Sequence, residues 1–205
     1  MKSLTTYITE KMIHTKANSK QVVYNYHPET KEELKDLMKQ LIEERGNEGD
    51  FNDIDTSKIT DMSKLFSDME EFNGDISKWN VSNVTDMHNM FFSCESFDQP
   101  LNDWDVSKVI DMEKMFCYCD SFNHPLNSWN VSKVIDMRSM FRYCKSFNQS
   151  LNNWDVSSAE YMSWMFAGCY NFNQDISKWN VSKVTDMRNI FENCDIEEEY
   201  MPKFK

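Results

Sequence analysis

Between residues 50 and 197 the apolar positions recur with a fixed step of 25. Met62, Met87, Met112, Met137, Met162 and Met187 make one column, and Phe66, Phe91, Phe116, Phe141, Phe166 and Phe191 a second. Trp79, Trp104, Trp129, Trp154 and Trp179 make a third, with Ile54 one step ahead of them. A fourth is Phe72, Phe97, Phe122, Phe147 and Phe172. Self-similarity of this kind marks a repeat architecture. Six rungs are visible, the first without its Trp and the last without its second Phe.

Two periods alternate inside a rung. Leu101, Trp104 and Val106 follow L-x-x-L-x-L, and the last two share one side of a short strand. Met112, Met115, Phe116 and Cys119 then recur at i, i+3, i+4 and i+7, which predicts one face of a helix. Asp61, Asp86, Asp111, Asp136 and Asp186 stand just ahead of that face and read as helix N-caps, with a metal or catalytic carboxylate as the competing reading. A single rung cannot bury its own apolar face, so rungs must stack. The expected fold is an α/β solenoid, leucine-rich-repeat-like, of six stacked 25-residue strand-helix units with a parallel sheet and an N-terminal helical cap.

The ends differ from the middle. In "HPETKEELKDLMKQLIEERGNEGD", Thr30 and Glu33 form a capping-box pattern, Leu34, Leu37, Met38, Leu41 and Ile42 make an apolar stripe, and Gly46 suits a C-terminal stop. The expected divisions are an arm over 1–22, with a helix across Leu4 to Ile13, a helical cap over 23–49, the repeats over 50–197 and a tail over 198–205. The acidic run at Glu197 reads as a polar terminus that discourages end-to-end stacking.

The unit "FNQSLNNWDVSSAEYMSWMFAGC" and the shorter "WNVSNVTDM" resemble the BspA-like leucine-rich-repeat proteins, in the 25-residue branch found in mycoplasma lipoproteins, gut bacteria and their phages. The resemblance spans about residues 29 to 196 through its joint Trp, Val, Met, Phe and Cys register. It implies a leucine-rich-repeat-type scaffold that binds proteins or host surfaces and has no enzymatic activity.

Net charge of −12 disfavours nucleic acid, whose affinity rests on Lys and Arg neutralising phosphate. No stretch reaches the length of a membrane span, and Glu10, Lys11 and His14 interrupt what a secretory signal would need. The expectation is a cytoplasmic protein, or one in a virion or host cytoplasm if phage-encoded, monomeric and without membrane insertion. Cys94, Cys119, Cys144, Cys169 and Cys194 hold the 25-residue step, with Met69 in the same place in rung one, which reads as a buried apolar slot. Cys117 lies off that face and is expected to be the exposed thiol. "DFNDIDTSKITD" fails as a calcium loop because Ile54 takes a ligand place and the turn lacks Gly. The four histidines occupy unrelated positions, and no nucleophile–base pair or phosphate loop is present. No cofactor, metal or catalytic residue is expected.

Information in a repeat array sits in the letters that change. Asp105, Asn130 and Asp155, with Lys108 and Lys133, line the predicted strand face. Rung five departs most: Tyr161 replaces the column Asp, and Trp164 stands where other rungs carry Asn89, Lys114, Ser139 or Asn189. Tyr118 and Tyr143 share an outer column and Tyr170 lies close in register, so these aromatics are candidate binding hot spots, with drift as the competing explanation. The expected function is a non-enzymatic scaffold recognising a protein partner. A surface adhesin or virion-associated structural protein tethered by the arm is the alternative.

Overall fold

The computed structural model describes residues 23–204, so the predicted arm and its helix lie outside the described residues. Helix α1 spans Lys31–Arg45. The Thr30 hydroxyl accepts the Glu33 N–H at 3.2 Å, and the Glu33 carboxylate accepts the Glu29 N–H at 2.8 Å. Gly46, at φ 79°, ends the helix by donating its N–H to the Ile42 carbonyl. Leu34, Met38 and Leu41 are buried against rung one.

The expected α/β solenoid is not what the chain builds. Among the described residues α1 is the only α-helix, a 3-10 turn at Glu198–Tyr200 is the only other helical element, and β pairing is confined to isolated parallel bridges without a sheet. The predicted helix at Met112–Cys119 is a chain of overlapping turns, in which Met115 N–H donates to Met112, Cys117 to Lys114 and Cys119 to Phe116. Every fourth residue of this stretch has positive φ: Lys64 and Asp68, Asn89 and Ser93, Lys114 and Tyr118, Ser139 and Tyr143. Left-handed residues cannot continue a right-handed helix. The resulting zigzag still points Met112, Met115, Phe116 and Cys119 inward, which is how it imitates helical spacing. The predicted strand at Leu101–Val106 is likewise two turns, closed by Trp104 N–H to Leu101 and Val109 N–H to Val106.

Backbone groups are satisfied between rungs instead. The N–H groups of Met112, Lys114, Phe116 and Tyr118 donate to the carbonyls of Asp136, Arg138, Met140 and Arg142 in the next rung at 2.8–2.9 Å. The same four-bond row joins every consecutive pair of rungs from the first to the sixth. Along these rows the Asp column alone registers as bridges, running Asp61, Asp86, Asp111, Asp136, Tyr161, Asp186, with two further parallel bridges, Tyr26 to Ile54 and Asp50 to Asp75, near the N-terminal end. These Asp residues do not cap helices. Each of Asp61, Asp86, Asp111, Asp136 and Asp186 accepts the N–H two residues on, closing an Asx turn.

The interior is two interleaved phenylalanine columns. Successive rings are 5.5–5.9 Å apart along Phe66–Phe191 and 5.9–6.0 Å along Phe72–Phe172. The two columns approach to 4.1–4.4 Å within each rung, as offset stacks. Each buried Trp spends its indole N–H on a carbonyl of the preceding rung, from Trp79 on Phe51 to Trp179 on Leu151, at 2.8–3.3 Å. The buried Cys column does the same: Cys94, Cys119, Cys144 and Cys169 donate to Phe66, Phe91, Phe116 and Phe141 carbonyls. Outside, Asn73, Asp98, Asn123 and Asn148 each accept the backbone N–H of the equivalent residue one rung on.

Candidate binding surface

The polar candidates have local structural duties. Asp105, Asn130 and Asp155 accept the N–H groups of Ser107, Ser132 and Ser157 at 3.0–3.2 Å. Hydrogen bonds from the Ser107 and Ser157 side chains, together with those N–H groups, hold the Asp105 and Asp155 carboxyls below the usual range. The Lys108 ammonium bonds Asn83 at 2.7 Å, and Lys133 is exposed.

The aromatic candidates divide. The Tyr118 and Tyr143 rings stack at 4.9 Å, and Phe92 meets Tyr118 edge-on at 5.9 Å. The Arg142 guanidinium lies 5.1 Å from the Tyr143 ring centre and 4.8 Å from that of Trp164, which brings Trp164 into the group. Gly168 makes room: at φ 74° it leaves space that a Cβ would take from the Tyr143 ring, at 2.4 Å. Tyr161 sits under Arg138 instead, at 5.5 Å, and Tyr170 is exposed without an aromatic partner among the described residues. Phe92, Tyr118, Tyr143, Arg142 and Trp164 therefore form one strip across rungs two to five. Phe92, Arg142 and Gly168 were not legible as members, because each looks ordinary until the rungs are laid side by side.

Arg142 is the distinctive group. Arg45, Arg138 and Arg188 bind the carboxylates of Asp53, Asp136 and Asp186. Arg142 makes no ion pair or side-chain hydrogen bond among the described residues, and its Nε is buried without an acceptor. The two rings hold a planar cation in place.

Cys117 is buried at 1% exposure, not exposed as expected, and burial pushes its thiol up to about 12. Burial likewise pushes Cys94 up to about 12 and raises Cys119, Cys144 and Cys169 well above the ordinary thiol. Thiols held protonated are poor nucleophiles and poor metal ligands.

Spatial grouping also reveals that Asp86, His88 and Asp111 bring ligand-type atoms within 4.8 Å of one another. His88 Nδ1 is 2.8 Å from Asp86. Elsewhere in the column a cation faces each carboxylate: Lys31 at Asp61, Arg138 at Asp136 and Arg188 at Asp186. Asp111 lacks one, and burial together with the charges of Asp136 and Asp86 raises its carboxyl. A raised acid favours the protonated folded state, so stability is lost as pH rises through the folded value. Asp111→Asn keeps the acceptor of the Asx turn and removes the charge. It is expected to stabilise at pH 7 by about 0.5–1 kcal/mol and to give no gain at pH 3, read by urea denaturation at both.

No helix among the described residues is long and apolar enough to cross a membrane. No curated protein and no solved structure matches the chain. One family model does, over residues 34–142 and again over 125–201, and the chain belongs to that family, described as "Mycoplasma protein of unknown function, DUF285".

Proposed function

We propose that the chain is a non-enzymatic scaffold that binds a protein partner through the strip of Phe92, Tyr118, Tyr143, Arg142 and Trp164. The observation that carries this reading is Arg142, a cation with no carboxylate partner among the described residues in a chain of net charge −12, set against two rings. Tyr, Trp and Arg are the residues in which interface energy concentrates. A preorganised guanidinium loses little freedom on binding and offers a planar fork to a carboxylate or a carbonyl. The strip crosses several rungs, so it favours the extended surface of a protein over a small molecule. Placement in the BspA-like branch belongs to the same proposal, on the Trp, Val, Met, Phe and Cys register within the broader family. So do a monomeric state, a cytoplasmic location and the exclusion of nucleic acid, the last supported by the acidic balance.

The test compares partner capture from cells of the native source by three forms of the full chain, quantified by mass spectrometry. Trp164→Ala with Tyr143→Ala is expected to weaken a specific partner by roughly 30-fold or more, as paired hot spots do. Lys108→Ala with Lys133→Ala is expected to leave it unchanged. The reverse pattern would move recognition to the Asx-turn face.

A further inference from the structure

The two ends of the stack are chemically opposite. The row of N–H groups that joins each rung to the next ends with Met162, Trp164, Phe166 and Gly168 donating to Asp186, Arg188, Ile190 and Glu192 at 2.8–2.9 Å. The equivalent donors of rung six are the N–H groups of Met187, Asn189, Phe191 and Asn193. None of the four has a backbone acceptor among the described residues. The side chains above them are uncovered as well. Met187 is 40% exposed, where Met62, Met87, Met112, Met137 and Met162 are at 0–1%. Phe191 and Cys194 are half-buried, whereas Phe66, Phe91, Phe116, Phe141 and Phe166, and Cys94, Cys119, Cys144 and Cys169, are fully buried.

The C-terminal segment covers only the other half of this rung. Ile176 N–H donates to the Tyr200 carbonyl at 3.0 Å, and Ile196 and Pro202 are buried there. At the opposite end of the stack, α1 lies along the matching arc of rung one, where Lys31 bonds Asp61 and Ser63. The acidic terminus, read from its sequence as one that discourages end-to-end stacking, therefore carries an open edge of donors.

We propose that this edge docks an extended segment of another polypeptide, which aligns its backbone carbonyls with the N–H groups of Met187, Asn189, Phe191 and Asn193 and continues the stack. The five joints already in the molecule define what fits: a carbonyl row, with apolar side chains spaced to cover Met187 and Phe191. Strand addition to an unpaired edge works on the same terms. A second copy does not supply this. Its own open end offers donors to donors, and α1 lies across its opposite edge at Asp61 and Ser63, where Lys31 bonds both side chains. Glu192, Asp195, Glu197, Glu198 and Glu199 crowd the rim, so the segment carries Lys or Arg beside its apolar positions. This surface is separate from the aromatic strip, and each stands or falls alone.

The experiment is residue-resolved amide exchange on the full chain, with a synthetic peptide as probe. The peptide has two lysines followed by the rung-two sequence of residues 84–93, VTDMHNMFFS. In the free chain, the amides of Met187, Asn189, Phe191 and Asn193 are expected to exchange about 100-fold faster than those of Met162, Trp164, Phe166 and Gly168. The probe is expected to slow those four at least roughly tenfold, while a scrambled peptide and the Met187→Asp chain show no slowing. Three outcomes overturn the proposal. Protection of the four amides in the free chain at every concentration assigns the edge to the chain's own residues. Protection that grows with protein concentration assigns it to a second copy. Open amides that the probe leaves unprotected show that the edge does not dock.

Discussion

Phe116→Ala is expected to cost about 3–5 kcal/mol, enough to consume much of the stability of an ordinary domain. The ring is fully buried and touches both columns, with Phe91 at 5.5 Å, Phe141 at 5.7 Å and Phe122 at 4.4 Å. Truncation removes its transfer energy and two stacking neighbours in its own column. The flanking rungs cannot close over the gap, because their backbones are held apart by the four-bond rows on either side. Phe191→Ala, at the half-buried end of the same column, removes one neighbour and is expected to cost about 1–2 kcal/mol. Urea denaturation of the two variants reads the difference directly. Equal costs would mean that the central rungs do not depend on each other.

Removing chain out of register has a larger effect still, whereas removing it in register is tolerated. Deleting residues 123–147 excises one whole rung and joins Phe122 to Asn148. Every column then closes on its own kind: Trp104 meets Trp154, and Asp98 meets Asn148 as it had met Asn123. The product is expected to fold, with Tm lower by roughly 5–10 °C for the lost joint. Deleting residues 123–134 removes less chain but places Ile135 where Asn123 stood. Turns then face Trp positions, the donor rows lose their acceptors, and everything beyond the deletion is expected to unfold. Circular dichroism and thermal melts of both products check this. A folded half-rung deletion would show that the 25-residue register is dispensable.

How much of this was legible in the sequence follows from what each residue type can report. The Met, Phe and Trp columns could be read because burial acts on side-chain identity, and identical slots recur at one step. The α1 cap was readable because Thr30, Glu33 and Gly46 each satisfy a specific backbone group. The secondary structure inside a rung was misread because apolar spacing reports which side chains point inward, not where N–H groups find acceptors. Met112, Met115, Phe116 and Cys119 fit a helical face, yet the positive φ of Lys114 and Tyr118 sends alternate N–H groups to the next rung. Lys and Tyr carry no signal for that conformation; Asp68, Asn89, Gly168, Asn189 and Asn193 hinted at it. The strip was half legible for a related reason. Tyr118, Tyr143 and Trp164 are conspicuous letters, whereas Arg142 acquires meaning only from the two rings that flank it. Cys117 was misplaced because the helical face excluded it and the turn zigzag does not.

The rung is therefore a run of turns held by its neighbours, and left-handed residues are what make it so. Lys64 and Lys114 have φ of 57° and 55°, and Lys64 is exposed. Glycine adopts that conformation freely, whereas alanine is penalised there by about 1–2 kcal/mol; in a helix alanine is the better residue by about 1 kcal/mol. The decisive measurement is the difference in Tm between a Lys64→Gly, Lys114→Gly chain and a Lys64→Ala, Lys114→Ala chain. The glycine pair is expected to melt higher, by roughly 4–8 °C. An alanine pair that melts higher would mean that these segments are helices and that the rungs are joined by something other than the four-bond rows.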